Sequence, residues 1–377
     1  MEEKIWLSSP HMGGNEQKFI NDAFVENWIA PLGPNVTGFE KDLEKYLDED
    51  SHVACVSSGT GAIHLALDIA GVSTGDEVLC QTFTFCGSSH PITYMGATPV
   101  FIDSEEETWN MSPFYLEKAI KDGISNGKKP KAVIAVHLYG MPAKIDEIEA
   151  ICKKYNVFLI EDAAEALGSS YKNRKCGTFG DLSILSFNGN KIITTSGGGA
   201  LVCRDKATKE KSIFLATQAR DNAPHYQHSQ IGYNYRMSNI VAGIGRGQME
   251  VLDKHVALRR ENNVFYKKLF STIEGIQLFS EPNSNFYSNH WLSAITCENS
   301  DNQSIIEKLR LFLHDFNIES RPLWKPMHLQ PVYKGSKFYG NGTAVKIFKK
   351  GLCLPSGSNM TDTERKRIKK AVTEFFS

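Results

Sequence analysis

Three short stretches of this chain carry side chains able to do chemistry together. The first is Ser57-Ser58-Gly59-Thr60-Gly61-Ala62, where an apolar run gives way to a helical pattern. A helix starting there offers unpaired N–H groups, the positive end of its dipole and several hydroxyls, a set that suits a phosphate monoester. An ordinary serine or threonine helix cap has the same appearance, and the stretch matches neither the Walker phosphate loop nor G-x-G-x-x-G. The second, Phe158-Leu159-Ile160-Glu161-Asp162, ends a strand pattern on two carboxylates and puts Asp162 at the carboxyl edge of a sheet, where α/β proteins bind ligands. A capping or ion-paired aspartate is the plainer alternative. The third, Ser186-Phe187-Asn188-Gly189-Asn190-Lys191, leaves another strand and runs on to Gly197-Gly198-Gly199. Its lysine is flanked by small and amide side chains, as one projecting into a pocket needs, although a solvated surface lysine fits the same pattern.

Taken together the three describe one cofactor. Pyridoxal phosphate needs a cup for its phosphate, a carboxylate that keeps its ring nitrogen protonated so that the ring withdraws electrons, and a lysine that binds its aldehyde. Phe85, in Thr82-Phe83-Thr84-Phe85 just after another strand pattern, offers a face to stack on such a ring or, equally on spacing, a core aromatic.

These groups must be positioned by a sheet. Between residues 50 and 205 short apolar runs alternate with amphipathic stretches, which predicts a largely parallel sheet covered by helices on both faces. Strands are expected at His52 to Val56, Glu77 to Cys80, Pro99 to Ile102, Lys131 to Val136, Val157 to Ile160, Leu182 to Ser186 and Ala200 to Cys203. Helices are expected at Gly61 to Ala70, Gly87 to Tyr94, Ser112 to Ile120 and Ile145 to Lys154, the third capped by Ser112 before Pro113. After Ser238 one extended helix is expected through Gln248, Leu252, Leu258 and Tyr266. Beyond Ile273 the pattern becomes irregular, so a large domain over residues 1–250 and a smaller C-terminal domain over 251–377 are expected.

Composition narrows the class. With 377 residues, 41% of them hydrophobic and 23% charged, the chain fits a soluble globular protein rather than a disordered or fibrous one. Its 42 Lys plus Arg balance 43 Asp plus Glu to a net charge of -1, so no overall basic field would draw it to nucleic acid or an anionic membrane. No apolar run is long enough to span a bilayer, and the start lacks a signal peptide's pattern, which makes the cytoplasm the expected location. The eight cysteines show no C-x-x-C pair or zinc-ligand spacing, so buried, reduced thiols and no metal are expected.

At the motif level the chain is similar to a known family. Ser58-Gly59-Thr60, Glu161-Asp162-Ala163-Ala164, Ser186 to Lys191 and Gly232-Tyr233-Asn234-Tyr235-Arg236-Met237-Ser238 resemble the DegT/DnrJ/EryC1 family of sugar aminotransferases. The resemblance covers nearly the whole chain, reaching from Ser9-Pro10-His11-Met12-Gly13-Gly14-Asn15 and Trp28 to Pro34 to Arg321-Pro322-Leu323-Trp324-Lys325-Pro326-Met327-His328 and Cys353 to Gly357. It looks most like the enzymes that aminate UDP-4-keto-6-deoxy-N-acetylglucosamine on the way to bacillosamine and related diamino sugars. It implies a fold type I α/β architecture and a homodimer with shared active sites. It also implies transfer of an amino group from L-glutamate, released as 2-oxoglutarate, to a nucleotide-linked keto sugar. By the same resemblance Lys191 is catalytic and holds the cofactor. Asp162 contacts its ring nitrogen, Phe85 stacks on the ring, and Thr60, Ser186 and the N–H groups of Gly59 to Gly61 bind the phosphate. Asn234 would reach the phosphate of the neighbouring subunit's cofactor, and Glu165 stands on the cofactor side where many relatives carry glutamine or histidine. Asn188, Arg236, Arg321, Lys325 and His328 would face the sugar and its diphosphate. Dehydratases of the family have histidine in place of the lysine, so Lys191 points away from them. An amino-acid lyase fits the terminal tracts poorly, and a binding protein that keeps the fold without turnover would not need every cofactor group.

Overall fold

The apolar runs fold as the strands of one eight-stranded sheet in the computed structural model, which describes residues 3–298 and 302–377. Five strands come first in the chain: β1 (His52–Val56), β2 (Glu77–Gln81), β3 (Thr98–Ile102), β4 (Ala132–Val136) and β5 (Phe158–Asp162). Leu182–Ser186, Gly199–Cys203 and Phe338–Tyr339 complete the sheet. The order across it is β1, Gly199–Cys203, Leu182–Ser186, β5, β4, β2, β3, Phe338–Tyr339. Every pairing is parallel except the two made by Gly199–Cys203, which runs antiparallel to both of its neighbours.

Side chains alternate across each strand, so the sheet has two cores. Val53 and Cys55 of β1, Leu79 of β2 and Val133 and Ala135 of β4 face helices Pro34–Leu47, Pro113–Ser125 and Ile145–Tyr155. Val56, Val78, Cys80, Ala132 and Ile134 face helix Gly59–Ile69. With both faces covered, β4 is buried at every position, which is why its sequence reads as a continuous apolar run rather than an alternation. The expected strands coincide with the observed ones to within two residues at each end. Ser112 caps its helix, accepting from Tyr115 N–H at 3.4 Å. All eight cysteines are free and seven are buried.

Two expectations are corrected. The stretch after Ser238 is two helices, Asn239–Met249 and Leu252–Phe270, parted at Glu250 and Val251. The first must lie close against the N-terminal region. A Cβ on Gly247 would fall 2.7 Å from Glu16 N, and one on Gly245 2.6 Å from the Phe39 ring. The second leaves in another direction to cover the small lobe through Tyr266, Leu269 and Phe270. The stretch expected as a helix from Gly87 to Tyr94 is likewise a short 3₁₀ turn, Cys86–Ser88, followed by a helix at His90–Tyr94 with Pro91 in its first turn.

The small lobe is built on an antiparallel sheet in the order Ile276–Leu278, Ser293–Cys297, Gly351–Leu354, Arg321–Pro322. The chain crosses the expected boundary at residue 250 twice. Ile5, far to the N-terminal side, bridges to Ile318 and joins the small lobe's core. Phe338–Tyr339, far to the C-terminal side, is the last strand of the large sheet, parallel to β3. No helix among the described residues is long and apolar enough to cross a membrane.

Candidate active site

The carboxyl ends of β5 and Leu182–Ser186, the start of helix Gly59–Ile69 and residues of the small lobe enclose a cleft of about 360 Å³. Ser57, Ser58, Gly59, Thr60, Phe85, Asp162, Glu165, Ser186, Asn188, Asn190, Lys191 and Arg321 all line it. Its phosphate-sized end is the first turn of helix Gly59–Ile69. Ser58 is the helix cap, its hydroxyl accepting from Gly61 N–H at 3.0 Å. The capping and anion-binding readings of this stretch are therefore compatible: the cap occupies the Ser58 side chain and the Gly61 N–H, and leaves the N–H groups of Gly59 and Thr60 at the start of the helix. The cup is tight. A Cβ on Gly59 would lie 3.1 Å from the Ser186 Cβ, and one on Gly199 would lie 2.4 Å from Gly59 N.

Asp162 sits deep in the cleft, 4% exposed, and both of its hydrogen-bond donors are uncharged. The Ser88 hydroxyl donates to Oδ2 at 2.6 Å and Ala164 N–H to Oδ1 at 3.1 Å. Burial pushes its carboxyl above the usual aspartate value, and the Ser88 bond works against that shift. A protonated pyridine nitrogen brought against this carboxylate would supply the missing positive charge.

Lys191 enters from the turn after Leu182–Ser186. Its Nζ lies 4.1 Å from the centre of the Trp291 ring and 3.5 Å from Glu165 Oε1. The Trp291 indole N–H donates to the Asn190 carbonyl at 2.6 Å, and Arg259, fully buried, donates to the carbonyls of Trp291 at 2.7 Å and Lys191 at 3.4 Å. The lysine is thus held between the two lobes. Phe85 is half exposed and packs its ring 5.6 Å from Trp324 across the cleft mouth.

Three residues expected to face the sugar do not line the cleft. Arg236 is committed to Glu40 Oε1 at 2.5 Å and to the Cys55 carbonyl at 3.0 Å, bracing the end of β1. His328 has its Nδ1 2.6 Å from the Thr82 hydroxyl and its ring stacked on Phe338 at 3.9 Å. Lys325 is exposed outside the lining. Arg321 does line the cleft, with its guanidinium on Glu319 at 2.7 Å. Asn234 is exposed and absent from the lining of its own chain's cleft. Trp291, Ser88, Trp324 and Asn190 belong to the cleft but were not singled out in the sequence. A tryptophan before a strand reads as core, and a serine within an expected helix has no spacing that sets it apart.

The donor set fits pyridoxal phosphate: an anion cup at a helix end, a buried carboxylate without a charged partner, an aromatic face and a lysine amine lie along one cleft. Together with the mostly parallel sheet this defines a fold type I pyridoxal phosphate-dependent enzyme. The comparison with known proteins narrows the class, because the model of the DegT/DnrJ/EryC1/StrS aminotransferase family matches residues 10–373 and the chain belongs to that family. EpsN of Bacillus subtilis (strain 168), assigned to the pyridoxal phosphate-dependent aminotransferases, is 51% identical over 381 residues, covering 100% of this chain and 97% of the relative. GDP-perosamine synthase of Escherichia coli O157:H7 is 38% identical, with 99% of each chain covered. The crystal structure of a DegT DnrJ EryC1 StrS aminotransferase from Brucella abortus superimposes with a TM-score of 0.88 at 27% identity, covering 96% of this chain and 95% of that one. The protein is a pyridoxal phosphate-dependent sugar aminotransferase.

Proposed function

We propose that the protein moves the amino group of L-glutamate to the C4 keto carbon of a nucleotide-linked 4-keto-6-deoxy sugar, releasing 2-oxoglutarate, with Lys191 as the residue that carries the protons. The supporting observation is that Lys191, Asp162 and the helix end at Ser57 to Thr60 line a single cleft. Pyridoxal phosphate supplies an aldehyde that exchanges amino groups and a ring that withdraws electrons from the reacting carbon. Asp162 keeps the ring nitrogen protonated. Thr60, Ser186 and the N–H groups of Gly59 and Thr60 hold the phosphate, the Gly61 N–H being taken by the Ser58 cap, and Phe85 covers one face of the ring. Lys191 Nζ, as a free amine, takes the proton from the α-carbon of glutamate in the first half-reaction and delivers one to C4 of the sugar in the second. Arg321, Asn188 and Asn190 at the cleft mouth are the donors for the diphosphate. Asn234, exposed on its own chain, reaches the cofactor phosphate of a second copy, so the working unit is a homodimer.

Two nucleotides have support. The tract from Arg321 to His328 resembles that of enzymes acting on UDP-linked 4-keto-6-deoxy-N-acetylhexosamines, and the 38% identity to GDP-perosamine synthase favours a GDP-linked sugar. The test is to incubate purified protein with glutamate and a panel of UDP-, GDP- and dTDP-linked keto sugars and to follow amine gain by mass spectrometry. A 4-keto sugar should be aminated by the wild type and not by Lys191→Ala. Faster turnover of a 3-keto sugar would overturn the C4 assignment, and wild-type turnover by Lys191→Ala would overturn the role of the lysine.

A further inference from the structure

A second carboxylate lies beside the reactive lysine. Glu165 is 4% exposed, three residues beyond Asp162. Its Oε2 accepts from Tyr139 N–H at 2.7 Å, and its Oε1 is 3.5 Å from Lys191 Nζ. The lysine's other neighbour is the face of Trp291, which attracts a cation and offers no lone pair to take a proton. The remaining titratable groups facing Glu165 are the Asp162 carboxyl, the Tyr139 phenol and the Cys353 thiol. Burial pushes the thiol up to about 12 and the phenol far above its ordinary range, so both stay neutral at working pH. Among the described residues Glu165 is the carboxylate within 4 Å of Lys191 Nζ, and so the one placed to exchange a proton with it directly.

Burying an ionised carboxylate is costly unless a specific partner compensates for it. A neutral glutamine, such as the family resemblance gives at this place in many relatives, would satisfy the Tyr139 N–H without that cost. We propose that Glu165 is a positioning residue that stores the proton of Lys191, an inference that rests on Lys191 being the proton carrier. When the lysine must act as a free amine, its Nζ–H bond breaks, an O–H bond forms at Glu165 Oε1, and an ammonium–carboxylate pair becomes an amine–carboxylic acid pair. The net charge of the pair is unchanged, and no water or outside base takes part. The separation of 3.5 Å is longer than a hydrogen bond, the looseness usual in a catalytic pair before substrate closes the site. Burial, reinforced by Asp162 and opposed by the lysine, pushes the Glu165 carboxyl up to about 7, so it takes a proton at neutral pH where an exposed glutamate would not.

The test compares wild type, Glu165→Gln and Glu165→His. Glutamine keeps an oxygen for the Tyr139 N–H, and cofactor absorbance with melting temperature reports whether each variant is intact. In the full-length chain stripped of cofactor, acetylation of Lys191 by acetic anhydride, read by mass spectrometry at pH 7 to 8, should be about tenfold or more faster in Glu165→Gln, because the anionic partner that favours the unreactive ammonium is lost. In the holoenzyme kcat should rise with pH through about 7 in the wild type as Glu165 becomes free to accept. That limb should vanish in Glu165→Gln and return in Glu165→His, because imidazole also takes a proton; should glutamine unfold the chain, the histidine variant alone must show a displaced limb. Equal acetylation in wild type and Glu165→Gln, or an ascending limb that survives in Glu165→Gln, would overturn the proposal. Turnover by Lys191→Ala would remove the reading beneath it and leave the acetylation result standing as a measure of the pair alone.

Discussion

The Asp162 carboxylate is hydrogen-bonded only by uncharged groups, and a cofactor with a basic ring nitrogen supplies the positive charge it lacks, while its aldehyde matches the Lys191 amine in the same cleft. Replacing Asp162 by Asn should therefore lower kcat roughly 10²- to 10³-fold, the scale of losing one preorganised charge contact at a reacting centre, with a smaller loss of bound cofactor. Steady-state kinetics alongside the visible spectrum would check both halves of that statement. The residues legible in the sequence were those whose chemistry depends on where a strand or helix ends: Lys191, Asp162, Gly59, Thr60 and Ser186 all line the cleft. Cations were harder to place, because a residue type gives a charge but not the partner already engaged. Arg236 is tied to Glu40, and His328 lies between Thr82 and Phe338.

At the scale of elements, β5 supports two functions by alternation. Asp162 faces the cleft, while its neighbour Glu161 points to the other side of the strand and fastens the loop before Leu182–Ser186. Glu161 accepts from the N–H groups of Gly177 at 2.6 Å and Phe179 at 2.7 Å, from the Ser183 hydroxyl at 2.7 Å and from His137 Nε2 at 2.7 Å. The His137 proton is on Nε2 because Nδ1 accepts from Ala143 N–H. Burial alone would raise the Glu161 carboxyl, but these donors hold it down to about 2. A carboxyl depressed in the folded state stabilises the fold above its unfolded value and loses that contribution as pH falls towards its folded one. Urea denaturation should therefore show wild type losing stability below about pH 4.5. Glu161→Gln, destabilised at pH 7, should approach the wild type as pH falls. Of the glycines after Lys191, Gly198 and Gly199 matter through close approach. In Gly199→Ala the new methyl group would meet Gly59 N and the Ser58 carbonyl carbon, so the phosphate cup should be displaced and cofactor retention on gel filtration largely lost. The sequence made the strands visible because their apolar runs are short and bounded by turns. The break at Glu250 was not visible, because helix periodicity continues through it, and the close approach of Gly245 to Phe39 and of Gly247 to Glu16 is a tertiary contact that no local pattern encodes.

For the whole molecule, the exposed position of Asn234 sets a test of the shared site. Under C2 symmetry each site would take Lys191 from one chain and Asn234 from the other. Mixing inactive Lys191→Ala with Asn234→Ala should then restore part of the activity through hybrid dimers holding one intact site. No recovery after confirmed subunit exchange would count against sharing. The two boundary crossings bear on how the chain becomes a protein at all. A fragment ending near residue 250 would lack the Phe338–Tyr339 strand that covers β3, and the complementary fragment would lack the Ile5 bridge that closes its core at Ile318. Either fragment alone should therefore fold poorly. Each half would emerge from synthesis with a seam exposed until the other arrived, whereas two halves produced together should find one another and pair.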